Sequence, residues 1–138
     1  MSYLLDTNVI SELVRPQPAS QVLAWFREVP DRALYLSVLS LGEIRKGIER
    51  MPTGGRRELV RLWLEQSLPD WFEDRLLPVT ALVAERWGRL LAESPRSLPA
   101  VDSLLAATAM THDLRLVTRN VADFDVAGLE VINPWNVA

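Results

Sequence analysis

The sequence predicts an α/β fold with a central, mostly parallel sheet. Short apolar runs, too short for helices, alternate along the whole chain with longer segments whose apolar residues recur at helical spacing. The first such run, residues 3–5, leads directly into Asp6 and the small polar residues Thr7 and Asn8. Open parallel sheets carry their functional residues at this carboxyl edge. No repeat or linker interrupts the pattern, so we expect a single domain over residues 1–138.

Strands and helices can be assigned in order from this alternation. We expect strands at 3–5, 34–36, 76–79, 114–117 and 129–132. We expect helices at 9–15, 20–29, from 40 to about 50, 57–72, 80–93 and 101–111, with at most one helical turn at 121–124. Pro69 should kink or end the helix over 57–72, and Thr80 should cap the one that follows it.

Composition excludes several kinds of site. The chain has no cysteine and only one histidine, His112, so disulfides, thiolate metal sites and histidine clusters are excluded. Any metal must be held by oxygen, which favours Mg²⁺ or Mn²⁺. The net charge of −3 argues against broad non-specific binding of nucleic acid, although it is compatible with a nuclease. Without a signal peptide or a membrane-length apolar run, we expect a cytoplasmic protein that does not contact membranes.

Acidic residues recur where predicted strands end or helices begin. Asp6 follows the first strand, Glu43 lies near the start of the helix after the second, and Asp102 opens the helix over 101–111. Asp123 lies beyond the strand over 114–117, three residues after Asn120. Each position also has a structural explanation. Asp6 would cap a helix, Glu43 and Asn120 fit capping-box spacings, and Asp102 would favour the helix dipole.

Taken together, the positions of these acids favour a catalytic role over a role in helix capping. Helices that follow parallel strands begin at the same edge of the sheet, so the acids should converge on one crevice. Several carboxylates close together repel each other unless protons or cations intervene. A divalent cation held by oxygen ligands can activate water for attack on phosphorus. The residues therefore favour metal-dependent phosphodiester hydrolysis.

Four blocks of sequence resemble the PIN-domain nucleases, and especially the VapC-type ribonuclease toxins with their FitB-like branch. The resemblance covers essentially the whole chain, and the blocks that carry it are Leu5-Asp6-Thr7-Asn8-Val9, Ser40-x-x-Glu43-Ile44, Asp102-x-x-x-Ala106-Ala107-Thr108-Ala109, and Thr118-Arg119-Asn120-x-x-Asp123-Phe124, with Asn133-Pro134-Trp135 near the end. The resemblance implies a three-layer α/β/α fold and a Mg²⁺- or Mn²⁺-dependent endoribonuclease. It also implies an inhibitory antitoxin, a homodimer within a larger toxin–antitoxin complex, and contact with promoter DNA only through the antitoxin.

The same resemblance assigns roles to individual residues. Asp6, Glu43 and Asp102 match the metal-site acids, with Asp6 and Asp102 as direct or water-bridged ligands and Glu43 as a holder of water or a base. Thr118 would orient a water molecule or a phosphate. Where the family often has aspartate directly after Thr-Arg, this chain has Asn120, and Asp123 follows three residues later. We therefore expect one tightly held metal, with a second bound only alongside substrate.

Other classes of protein fit the sequence less well. A phosphatase of the haloacid-dehalogenase type needs a second aspartate two residues after Asp6, where this chain has Asn8, and a late lysine, whereas Lys46 is the only one. A dinucleotide-binding domain needs a glycine-rich turn after the first strand. A catalytically weak PIN-like scaffold, acting with a DNA-binding antitoxin, remains the alternative. Neither the RNA target nor the antitoxin can be inferred from these residues.

Overall fold

The computed structural model describes residues 1–136, in which five strands alternate with helices. The strands are β1 (Tyr3–Leu5), β2 (Leu34–Ser37), β3 (Leu76–Leu77), β4 (Arg115–Val117) and β5 (Val131–Ile132). The helices are α1 (Thr7–Glu12), α2 (Ser20–Glu28), α3 (Val38–Glu49), α4 (Gly55–Leu62), α5 (Leu68–Phe72), α6 (Ala81–Glu93) and α7 (Ala100–Thr111). Between residues 1 and 136, no helix is long and apolar enough to cross a membrane.

The strands form one sheet in the order β3-β2-β1-β4-β5, and every neighbouring pair is parallel. From β1 the chain builds outward to β2 and β3, then crosses back to place β4 and β5 on the other side. The crevice between the carboxyl ends of β1 and β4 is therefore the point where the direction of winding reverses. Ligands of open α/β sheets bind at such a switch point.

Side chains that alternate along the strands contribute to two separate hydrophobic cores, one on each face of the sheet. The fold therefore has three layers, with the sheet between two layers of helices. On one face, Leu5, Leu36 and Val117 belong to a core covered by α1 to α5. On the other, Leu4 and Leu116 belong to a core covered mainly by α6 and α7. Consecutive residues of a strand point to opposite faces, so an unbroken apolar run is what a sheet covered on both sides requires. The predicted α/β/α architecture is confirmed.

The predicted long helix over 57–72 exists, but it changes its winding in the middle. Between α4 and α5, residues Trp63–Ser67 form a π-helical turn, and the N–H of Leu68 donates to the carbonyl oxygen of Trp63. Pro69 follows directly and has no N–H to donate, and its ring would clash with a carbonyl group one α-turn earlier. The wider turn relieves that clash without ending the helix.

The helices that follow β1 and β2 both begin earlier than predicted. Asp6 occupies the N-cap of α1, so that helix begins at Thr7 and ends at Glu12 instead of covering 9–15. The cap of α3 is Ser37, whose hydroxyl accepts from the N–H of Leu39. The prediction that Ser40 opens this helix was wrong, because two serines compete for the cap and the one at the strand end takes it. The Thr80 cap of α6 is confirmed.

A buried carboxylate closes the loop between α1 and α2. Glu12 is only 5% exposed, and its Oε2 accepts from the backbone N–H of Ala19 at 2.8 Å. We expect Glu12→Ala to lower the free energy of unfolding by about 1–3 kcal/mol, because that N–H loses its partner in a shielded position. Urea unfolding measures the loss. Glu12→Gln keeps an acceptor oxygen and should lose clearly less; equal losses for both variants would contradict this role.

Candidate active site

The sheet fixes the backbone at two adjacent strand ends. The N–H of Asp6, directly after β1, donates to the carbonyl oxygen of Val117 at 2.8 Å. The N–H of Thr118, directly after β4, donates to the carbonyl oxygen of Ile132 at 2.9 Å. These bonds extend the parallel pairing by one residue past each strand. They set the side chains of Asp6 and Thr118 side by side at the switch point.

Asp6 is both the cap of α1 and the most deeply placed acid of the site. Its Oδ1 accepts from the N–H of Thr7 at 2.7 Å, and its Oδ2 accepts from the hydroxyl of Thr118 at 2.8 Å. Only 7% of Asp6 is exposed. Burial raises the pKa of this carboxyl above its usual range, and the charges of Asp102 and Glu43 raise it further, while the two hydrogen bonds oppose the rise.

Thr7 links Asp6 to the second acid. While its N–H donates to Asp6, its hydroxyl donates to Oε1 of Glu43 at 2.5 Å. The hydroxyl of the buried Ser40 lies 2.9 Å from the Thr7 hydroxyl and supports the same arrangement. Ser40 thus lies in the first turn of α3, three residues before Glu43, and it contacts the site instead of capping the helix.

Asp102 approaches from the other side of the sheet edge, in the first turn of α7. Partial burial raises its pKa, and the charges of Asp123 and then Glu43 raise it further. Asp123 is exposed and lies in the short helical turn Val121–Phe124. Because Asp102 interacts with Asp123 and Glu43, and Asp6 with Asp102 and Glu43, the four predicted acids form one electrostatic group.

Asn8 holds the loop after β4 against the site. Its Nδ2 lies 3.4 Å from both Oδ2 of Asp6 and the hydroxyl of Thr118, and its Oδ1 accepts from the N–H of Arg119 at 3.3 Å. Asn120 joins through its backbone, since its N–H donates to the Thr118 hydroxyl at 3.1 Å. Its side chain caps nothing in the turn that follows, so the capping-box interpretation of Asn120 and Asp123 was wrong.

Sequence reasoning identified the acids but missed the residues that orient them. No role of their own at the site was predicted for Thr7 and Asn8, and Ser40 was predicted only to start a helix. One signal was available: three consecutive polar residues follow a buried strand, although a cap needs only one. What the sequence does not display is which distant acid or loop each of them reaches.

The carboxylate oxygens at the site suit a metal ion, although they would not surround it completely. Within residues 1–136, no three acidic side chains are placed so that all could hold one ion directly. Burial first, and then the charges of neighbouring carboxylates, raise the pKa of Asp6 and Asp102 at one sheet edge, and a bound cation would offset both effects. Mg²⁺ commonly binds through one or two carboxylates and keeps several waters, so this donor set fits it.

An apolar groove of about 260 Å³ adjoins the acids. It runs between α1, α3 and α4, and Thr7 and Glu43 form its polar end. Its apolar side includes Val14, Met51 and Trp63. A groove of this kind suits an apolar segment of a protein partner whose polar end reaches the acids.

Comparison with known proteins gives consistent results. The family model described as PIN domain matches residues 3–128. The chain is 37% identical to the VapC ribonuclease Y4jK of Sinorhizobium fredii, over 98% of this chain and 99% of that protein. It is 36% identical to the toxin FitB of Neisseria gonorrhoeae, over 96% and 98% respectively. A solved structure of FitAB bound to the IR36 DNA fragment has a chain that is 34% identical, with a TM-score of 0.89, covering 99% of this chain and 97% of that one.

Proposed function

The chain belongs to the PIN domain family, and from this premise we propose that it is the toxin of a type II toxin–antitoxin pair, an endoribonuclease that depends on Mg²⁺ or Mn²⁺. One observation carries the catalytic part of the proposal. Asp6 at the N-cap of α1, Glu43 in the second turn of α3 and Asp102 in the first turn of α7 interact electrostatically at one edge of the sheet. We take residues 1–138 as one nuclease domain acting on RNA in the cytoplasm.

In this proposal each residue of the site has a distinct task. Asp6 and Asp102 would hold one tightly bound ion, directly or through water, with Glu43 beside them. The ion would lower the pKa of a water molecule and offset charge developing on the scissile phosphate. Thr118 and the N–H of Thr7 keep Asp6 ionised and oriented. Glu43, positioned by Thr7, would accept the proton of the attacking water, and cleavage leaves one phosphate end and one hydroxyl end.

The partner in this proposal is an antitoxin. The resemblance to FitB-like toxins implies such a protein, and the related FitAB complex has been solved bound to the IR36 DNA fragment. The groove beside Glu43 would receive an apolar segment of the antitoxin, whose basic end would neutralise the acids. We propose that the chain dimerises within the complex and reaches promoter DNA only through the antitoxin.

Cleavage of mixed cellular RNA tests the function. We expect the purified chain, freed from antitoxin, to give discrete products with Mn²⁺ or Mg²⁺ and none with EDTA. The matched control is Asp102→Asn, which removes one charge and keeps the shape of the side chain. This variant should give no discrete products with either ion. If free wild-type protein leaves RNA intact with both ions, the catalytic proposal fails. The PIN-like binding scaffold, which works with its antitoxin on DNA without cleaving RNA, then replaces it.

A further inference from the structure

A stacked pair of side chains lies in the loops after β4 and β5, outside the set of residues assigned to catalysis. The guanidinium carbon of Arg119 lies 4.9 Å from the ring centroid of Trp135. Arg119 follows Thr118, so its backbone is fixed to the site through the bond between its N–H and Asn8. The Arg119 side chain is exposed, whereas Trp135 is partly buried against the core beneath α1 to α5.

Asn133, which directly follows β5, holds Trp135 in place. The N–H of Trp135 donates to Oδ1 of Asn133 at 2.9 Å, and Nδ2 of Asn133 lies 3.4 Å from the carbonyl oxygen of Arg119. Asn133 therefore connects the backbones of the two stacked residues. The loops after β4 and β5 thus form one unit, and the stacking is part of it.

Arg119 lies in the loop after β4, at the same sheet edge as the acids, yet it pairs with none of them. Among residues 1–136, none of the ion pairs involves Arg119. No arginine lowers the pKa of Asp6 or Asp102 within that range. Stacking occupies only the flat face of a guanidinium and leaves its in-plane N–H groups available. The stacking on Trp135 therefore leaves the N–H groups of a cation at this sheet edge available to another ligand.

We propose that Arg119, held by Trp135, binds a phosphate of the RNA strand next to the one that is cleaved. This inference rests on the proposed function. A bidentate contact from a planar guanidinium fixes both the position and the orientation of a phosphate. RNA must approach a cluster of negative charge, so one fixed cation at its edge offsets repulsion of the strand. Arg119 is thus a substrate-positioning residue, and Trp135 acts through it.

RNA binding and RNA cleavage should respond differently to changes at this pair. For cleavage, we expect Arg119→Gln to raise KM about tenfold and to change kcat less than about threefold. For binding, the probe is a labelled single-stranded RNA of mixed sequence, with all variants placed in an Asp6→Asn background to prevent its cleavage. Arg119→Gln should weaken binding about tenfold and reduce the slope of log affinity against log salt by about one.

Three further variants decide the interpretation. Trp135→Leu should reproduce the effect of Arg119→Gln, and Trp135→Phe should largely restore affinity because it keeps an aromatic face. Arg115→Gln removes the same charge at the opposite end of β4 and should leave affinity within about twofold of its parent. An equal loss for Arg115→Gln, or full affinity in Arg119→Gln, overturns the proposal. If wild type cleaves no RNA but binding still depends on Arg119, the nuclease function fails and the phosphate contact stands.

Discussion

Asp6→Asn is expected to reduce the rate of RNA cleavage on the order of 100-fold or more, measured as kcat/KM at saturating Mn²⁺. Asp6 organises the polar residues around it, since Thr7, Asn8 and Thr118 all contact it. Asparagine keeps the shape of the side chain and an oxygen for the N–H of Thr7. It removes the negative charge that would attract the ion.

Measurements of thermal stability distinguish a loss of catalysis in Asp6→Asn from unfolding of the variant. The pKa of Asp6 is raised in the folded protein, so its ionised form destabilises the fold at pH above that raised pKa. Without metal at pH 7, Asp6→Asn should therefore melt at or above the temperature of wild type. The advantage should fade as pH falls from the raised pKa through the ordinary value of 3.8, below which the carboxyl is neutral in both the folded and the unfolded protein. Added Mn²⁺ should stabilise wild type and leave the variant unchanged; retained cleavage in a folded variant would remove Asp6 from the mechanism.

The positions of Asp6 and Thr118 were predictable because each directly follows a short apolar strand. Where a strand ends is a local property of sequence, and parallel pairing then brings the ends together. The bond between Thr7 and Glu43 was not predictable in the same way. It joins residues 36 positions apart and depends on how α1 and α3 cross. No periodic pattern carries that information.

The predicted start of α3 was wrong for a related reason. Ser37 and Ser40 are both acceptable caps, and only the end of β2 decides between them. Once Ser37 is chosen, Ser40 turns towards Thr7 and becomes part of the site. The proline at 69 was correctly identified as a disturbance, but a π turn absorbs it because the surrounding apolar residues gain more from continuing the helix. In both cases tertiary contacts settle a choice that local propensity leaves open.

Thr118→Val is the second substitution expected to have a large effect, and it acts through Asp6. The Thr118 hydroxyl is fully buried, donates to Asp6 at 2.8 Å and accepts from the N–H of Asn120 at 3.1 Å. Its bond to Asp6 lowers the pKa of that carboxyl. Valine has nearly the same shape and no hydroxyl, so the pKa of Asp6 should rise further. On the acid side of the pH profile we expect kcat/KM to fall about tenfold or more, since a hydrogen bond to a charged group contributes about 1.5–3 kcal/mol and about 1.4 kcal/mol corresponds to one pKa unit.

The pH dependence distinguishes this positioning role from general damage. The ionised form of Asp6 is the active one, so activity rises with pH through the pKa of Asp6. Raising that pKa moves the acid limb of the profile to higher pH. The deficit of Thr118→Val should therefore be greatest at low pH and narrow as pH increases. Thr118→Ser retains the hydroxyl and should restore the wild-type midpoint. A valine variant with an unshifted midpoint and a uniformly lower rate would mean that Thr118 supports the loop after β4 and not the charge of Asp6.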